Sequence, residues 1–292
     1  MKGLILVNAY AKTTETRQVV RMREELTRRG VTVDTLRNDQ HFARITNNIV
    51  EEEEFKKYDF CLYLDKDKYV PRVLSKRMRL FNSASAIEYC DDKMITHLML
   101  ANHGIIMPDT LAGFLCYDRS AEIREDSVSC VMAYLGLPVI VKQAYGSMGT
   151  GVYKADTKDR LKALMEKFKC EPHLFQQYIG SSCGKDLRVI VVGGKVLGGI
   201  ERSSDTDFRS NVGLGGHAKR ADVPTEVEKT AIKAAEILGL DYCGIDFLYG
   251  EKTYMLCEVN SNAFFDAFEA ATGINVAGAY AEHIINNIDI SN

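Results

Sequence analysis

The sequence predicts an α/β region followed by an α+β region, and three observations carry that prediction. The first ninety residues alternate apolar strands with a charged helical run, the pattern of βαβ units with a small parallel sheet and covering helices. Further on, "DLRVIVV-GG-KVLGGIERS" reads as a hairpin whose Gly193-Gly194 pair supplies the positive φ of a two-residue turn. A second hairpin, "CGIDFLY-GEKT-YMLCEVN", adds two more antiparallel strands. At 292 residues the chain can bury a large core in one to three domains.

Taken in order, "GLILVNA" (Gly3 to Ala9) is a continuous apolar strand, and Thr14 to Arg29 is a charged helix closed by Gly30. "VTVDTLRN" is a second strand and "YDFCLYLD" (Tyr58 to Asp65) a third. Between them, the run Glu51 to Glu54, followed by Lys56 and Lys57, reads as the solvated face of a helix. A second unit starts near "NSASAIEYCDDKMITHLMLANHG" (Asn82 to Gly104) with two helical segments. "PVIVKQA" (Pro138 to Ala144) is a strand that leads to a glycine loop and "GVYKAD". "HLFQQYIG" (His173 to Gly180) alternates into a short strand, which fits either a linker offering backbone groups to a purine or an ordinary edge strand. Thr225 to Leu238 is an amphipathic helix between the two hairpins. No repeat, low-complexity segment or Pro/Ser linker interrupts the chain.

Hydrophobic content of 46% and charged content of 26% are those of an ordinary globular protein. A net charge of −3 leaves no electrostatic footprint for nucleic acid or an anionic membrane. The eight cysteines include no Cys-x-x-Cys pair and mostly sit in apolar or helical contexts, so they read as reduced thiols of a cytoplasmic protein. "MKGLILVNAYAK" has too short an apolar run for a signal peptide, and no stretch approaches a membrane span.

Three segments bear on chemistry. "VIVKQAYGSMGTGVY" sets Lys142 at a strand end before Gly146, Gly149 and Gly151; glycines admit backbone amides to a phosphate and a lysine neutralises its charge. The lysine precedes the glycines, so this is no P-loop, and a hairpin with a snorkelling lysine fits as well. "ERSSDTDFRSNVGLGGHAKR" (Glu201 to Arg220) carries Arg202, Arg209, His217, Lys219 and Arg220 among polar residues and glycines, either a solvated loop or a functional one. An arginine there would stabilise a transferring phosphate. Finally, hairpin geometry puts Asp246 within about one residue of facing Glu258, and two buried carboxylates that close need a proton or a cation between them. With Asn260 they form a hard oxygen set suited to Mg²⁺ holding nucleotide phosphates.

This order of features resembles the ATP-grasp ligases, and within them the RimK-like group that joins glutamate or related amino acids to an acceptor. The resemblance covers roughly Ala86 to Ile285, and "DLRVIVVGGKV", "DFRSN" and "ATGINVAG" are its most specific parts. It implies an ATP-grasp fold behind a Rossmann-like domain, with residues 1–85 as that domain, 86–175 as a central subdomain with the glycine loop, and 176–292 as a subdomain with the metal site. By the same resemblance Lys93 and Lys142 would contact ATP phosphates, under a loop from Gly146 through Ser147 and Gly149 to Gly151. Gln177 and Tyr178 would border the adenine, Asp186 would lie near the ribose, and Arg188 would face phosphates or a substrate carboxylate. Arg209, Ser210 and Asn211 would sit at the reacting phosphoryl group, and Asp246, Glu258 and Asn260 would bind two Mg²⁺ ions, with Mn²⁺ an alternative.

Two departures stand out. Gln177 replaces the usual Glu, and "SNAFFDAFEAATG" replaces the family's Ser-Pro-Gly, so that Phe264 and Phe265 would crowd an acceptor-side pocket. The resemblance implies a ligase that activates a small carboxylate as an acyl phosphate and passes it to an amine, an amino acid among the candidates. Nucleic-acid and membrane partners are not expected, and a homo-oligomer is left open. A non-catalytic nucleotide sensor and a scaffold protein are the other readings, although retention of Lys142, Arg209, Asp246, Glu258 and Asn260 together argues against the sensor.

Overall fold

The structure, a computed structural model, describes residues 1–39, 43–50, 55–146, 149–210 and 216–288. Its first unit comprises β1 (Lys2–Val7), α1 (Arg17–Arg28), β2 (Thr32–Arg37), a small ribbon of β3 (Ile45–Thr46) and β4 (Ile49–Val50), β5 (Phe60–Leu64), α2 (Tyr69–Leu74) and β6 (Arg79–Phe81). The parallel sheet runs in the order β2-β1-β5-β6. β1 and β5 carry unbroken apolar runs because both faces of the sheet are covered. α1 begins later than the charge pattern suggests, since the Thr16 hydroxyl caps it by accepting from the Val19 N–H.

α3 (Ala84–Asp91) and α4 (Lys93–Leu100) follow, capped by Ser83 and Asp92. Then come β7 (Thr110–Ala112), α5 (Glu125–Leu135), β8 (Val139–Gln143), β9 (Val152–Ala155), α6 (Lys158–Phe168) and β10 (His173–Gln177). They form an antiparallel sheet in the order β7-β10-β8-β9. The strand at His173–Gln177 is therefore interior, not an edge; its pairing with β7, a strand too short to show in the sequence pattern, accounts for the difference.

The third sheet holds β11 (Lys185–Val192), β12 (Lys195–Ser203), β13 (His217–Ala221), β14 (Tyr242–Tyr249) and β15 (Tyr254–Asn260), with α7 (Thr225–Leu238) between β13 and β14. Its order is β13-β12-β11-β14-β15, all antiparallel. Both expected hairpins are present, and Gly193 and Gly194 have φ of 54° and 73°. The polar stretch 201–220 is shorter as a loop than its composition suggests, because its ends extend β12 and form β13. α8 (Asp266–Thr272) and α9 (Val276–Asn286) complete the described chain.

Among the described residues four buried clusters form the core, and two of them pack on the five-stranded sheet. α7, α3 and α4 pack on one face of the five-stranded sheet through Val227, Ala231, Leu238, Ala86 and Leu100. On the other side, Ile190, Ile200, Phe268, Tyr280 and Ile284 share a single core with Ile5, Val19, Met22, Leu26, Phe60 and Phe81 of the first unit. Phe265 lies wholly within that core, edge-on to Tyr242, while Phe264 is exposed. The expected crowding of a pocket by both rings does not occur: a ring as apolar as Phe265 gains more in the core.

All eight cysteines are free, but only Cys61, Cys90 and Cys243 are buried structural thiols of the kind expected for most of them. The run Glu51 to Glu54 lies outside the described residues. Among the described residues no helix is long and apolar enough to cross a membrane.

Candidate active site

The four-stranded and five-stranded antiparallel sheets face each other across a cleft of about 810 Å³, part of it open to solvent. Its walls bring together Lys93, Lys142, Gly146, Gly149, Gln177, Tyr178, Asp186, Arg209, Ser210, Asp246 and Glu258. These residues are spread over more than 160 positions of sequence, from Lys93 to Glu258. Gly151 (φ 78°) lies behind the cleft with its Cα against the Gln143 side chain, and Arg188 and Asn260 stand behind the carboxylates rather than among the lining residues. Ser147 and Asn211 lie outside the described residues.

Two lysines face the cleft with little water around them. Lys93, at the first turn of α4, donates from Nζ to the Gly146 carbonyl (2.8 Å) and meets Glu258 Oε1 at 3.8 Å. Burial lowers its pKa, partly offset by Glu258. Lys142, next to last in β8, lies 3.4 Å from Cys257 Sγ; it is 7% exposed, with no carboxylate in ion-pair contact among the described residues. Such an ammonium is suited to an anionic ligand.

Opposite them, charged groups form a chain across three strands. Ser210 Oγ donates to Asp186 Oδ2 (2.5 Å), and Arg202 binds Asp186 through two nitrogens. Arg202 Nη2 also reaches Asp246 Oδ2 at 2.9 Å, and Arg188 clamps Asp246 from Nε (2.6 Å) and Nη2 (2.7 Å). Burial alone would raise the Asp246 carboxyl, but the two guanidiniums hold it below its ordinary pKa. Asp186, with one guanidinium at hand and the Asp246 charge nearby, is raised by burial. Arg202 is the important residue that the sequence left without a role. It faces Asp186 in the hairpin, and only the register reveals it.

Asp246 and Glu258 are direct cross-strand partners, and Gly244 opposite Asn260 is the next same-face pair. No group of three His, Cys, Asp or Glu side chains gathers to hold a metal among the described residues. A set of two carboxylates and an amide nevertheless fits Mg²⁺, which keeps few protein ligands and shares the rest with waters and phosphates. The Asn260 side-chain nitrogen is buried without a partner, and half a turn of the amide presents its oxygen instead. Glu258 is open to the cleft, and Asp246 spends three of its roughly four acceptor positions on arginines, leaving one.

The lysine end of the cleft is closed by two loops in contact. Arg209, held by both oxygens of Asp207, donates from Nη1 to the Gly149 carbonyl at 2.7 Å. At the other end Tyr178, Gln177, Ile179, Ile140, Val152 and Leu248 line a more apolar recess. Lys154 lies 4.8 Å over the Tyr178 ring, and the Gln177 N–H is used by the Asp109 carbonyl.

A recess for a flat apolar group, a lysine-lined, anion-binding end and two loops bridged by an arginine, all between two antiparallel sheets, define an ATP-grasp module. The chain belongs to the RimK-like ATP-grasp family, whose domain model matches residues 90–284. It is 37% identical over 226 residues to beta-citrylglutamate synthase B of Danio rerio, across 76% of this chain and 54% of that protein. It is 34% identical over 209 residues to a probable alpha-L-glutamate ligase of Maridesulfovibrio salexigens, across 70% of this chain and 67% of that one. The chain thus spans about half the length of the first of these relatives. Its fold matches the ATP-grasp ligase PsnB, solved with a variant of its minimal precursor, Mg and ADP, at a TM-score of 0.69 and 18% identity, covering 97% of each chain.

Proposed function

We propose that the protein is an ATP-dependent carboxylate–amine ligase that works through an acyl phosphate. A substrate carboxylate oxygen attacks the γ-phosphorus of ATP and ADP leaves; the amine then attacks the acyl carbon, forms the amide and releases phosphate. The observation that carries this reading is the convergence of Lys93, Lys142 and Arg209 on the end of the cleft that also holds the Asp246–Glu258 pair. The names of the relatives, a beta-citrylglutamate synthase and a probable alpha-L-glutamate ligase, support glutamate as one substrate.

Little is required here of acids and bases. Lys93 and Lys142 offset phosphate charge in a site where burial makes each contact stronger than it would be in water. Arg209 brings a guanidinium to the transferring group and, through Gly149, holds the glycine loop over it, excluding water that would hydrolyse the acyl phosphate. Asp246, Glu258 and Asn260 would hold two Mg²⁺ ions, which, when bound, neutralise charge on the phosphates. Arg188 and Arg202 fix the Asp246 carboxylate in place.

Glu258→Ala and Arg209→Ala are each expected to lower carboxylate-dependent ADP release at least about a hundredfold with little change in melting temperature. A coupled ADP assay across carboxylate–amine pairs, with mass spectrometry of the product, measures it. Full turnover in either variant defeats the assignment.

A further inference from the structure

The three residues that follow β8 are each tied to the start of α4. The Lys93 N–H donates to the Ala144 carbonyl (3.0 Å), and the Lys93 ammonium to the Gly146 carbonyl (2.8 Å). Between them, the Tyr145 hydroxyl donates to the Asp92 carboxylate. Asp92 is the N-cap of α4, and its Oδ1 also accepts from the Met94 (2.9 Å) and Ile95 (3.1 Å) N–H groups. Gly146 then opens the glycine loop. The base of that loop is therefore held on a single helix turn.

These three bonds do not share one fate once phosphates arrive. Lys93 and Gly146 line the cleft, whereas the Tyr145 ring faces a neighbouring cavity with Lys68 and Tyr89 among its walls. On the ligase reading, phosphate oxygens draw the Lys93 ammonium, because an ionised acceptor outcompetes a neutral carbonyl. The Gly146 bond then weakens just when the loop is needed. The bond from Tyr145 to Asp92 lies outside the cleft and is untouched by that exchange. Burial and the Asp92 charge raise the pKa of the hydroxyl, so it remains a donor at neutral pH. Further along, Arg209 holds the loop at the Gly149 carbonyl (2.7 Å).

We propose that Tyr145 is a positioning residue that, through Asp92, holds the near end of the glycine loop on α4 while Lys93 serves the nucleotide. This role rests on the ligase reading and adds to it a group that keeps water from the acyl phosphate once Lys93 is engaged. Tyr145 acts through the loop and does not itself line the cleft.

Two measurements on the full chain test it. As the first residue of α4, Lys93 has no helical acceptor for its N–H, so protection of that amide from exchange reports the bond to Ala144. Tyr145→Phe should speed exchange there by about fivefold, the loss of one hydrogen bond. Unchanged exchange in the folded variant overturns the proposal. The second measurement is the ADP released per amide formed, for a carboxylate–amine pair that the wild type joins. Tyr145→Phe should raise that ratio by about threefold or more, because acyl phosphate is lost to water. A merely structural role would lower both products together, and an unchanged ratio defeats the proposal. Asp92→Ser keeps a helix cap but is too short to meet the hydroxyl, so it should raise the ratio to a similar extent. The double variant should go no further, and effects that multiply there also defeat the proposal. Absence of turnover by the wild type with any pair is a separate result that strikes the ligase reading; the Lys93 exchange rate then decides on the contact.

Discussion

Gly184 sets the base of the loop that delivers Arg209 and Ser210 to the cleft. Its N–H donates to the Phe208 carbonyl (2.9 Å) and its own carbonyl accepts from the Ser204 N–H (2.8 Å). With φ at +68°, a Cβ here would lie 2.5 Å from the Ser204 carbonyl oxygen and 3.0 Å from that of Asp207. Those are backbone atoms, so relief requires the loop itself to move. Gly184→Ala should therefore cost about 1–3 kcal/mol of stability and also displace Arg209. The expected outcome is a fall in kcat at temperatures well below the lowered Tm; normal kcat in the folded variant would show that the loop base does not position the arginine. The glycine itself is visible in "SSCGKDLR", but the carbonyls it must avoid come from twenty or more residues away, and local sequence has no record of them.

At the scale of elements, two single-residue irregularities decide which side chains meet. In the β11–β12 hairpin the register shifts by one beyond Ile190, where Ile190 pairs with Gly198 and Leu197 is skipped. Without that bulge Asp186 would face Glu201, a like charge, instead of Arg202. In the β14–β15 hairpin Cys257 is the skipped residue, which turns Glu258 opposite Asp246 while Leu256 and Val259 both stay in the core. Strand existence was readable here because apolar runs and the Gly-Gly turn are local signals. The exact pairing was not, since alternation carries no mark of an extra residue, and this is why Arg202 stood among the positive groups of its stretch without its partner Asp186.

The helix α4 carries a pH consequence of its own. His97 is buried against Met107 and Gln176, and burial, reinforced by Lys142, depresses its pKa to about 3. Unfolded, the imidazole takes a proton below about 6.5, so the stability its neutrality supports is present above that pH and is lost as pH falls toward 3. Between pH 7 and pH 5 the loss should be about 2 kcal/mol. Urea unfolding of wild type and His97→Gln at both pH values measures it, and equal losses in the two proteins would contradict the expectation.

For the whole molecule, the governing fact is that one face of the parallel sheet shares its core with the five-stranded sheet, while the other face packs mainly within its own unit. Ile5, Met22 and Leu26 pack with Phe268, Tyr280 and Ile284, and Arg21 reaches Glu269 (3.3 Å) and Asn275 (2.8 Å) across the same seam. Ile284→Ala should cost about 2–5 kcal/mol. It should lower the unfolding midpoint of the first unit and the five-stranded sheet together, as read by hydrogen exchange at Leu4–Leu6 and at Val189–Val191. Protection lost in only one of them would show the two to be energetically separate. The α/β and α+β regions were legible in sequence from strand spacing and hairpin turns, whereas this union was not. An apolar helix face states that it must be buried but does not name the surface that buries it. A consequence follows for synthesis on the ribosome. Roughly 200 residues separate Phe81 from Ile284, which is about 10–40 s of elongation at typical rates. Throughout that interval the first sheet and α1 wait with the apolar side of Val19, Met22 and Leu26 uncovered, so the nascent chain should be most open to chaperone capture after its first unit has already emerged.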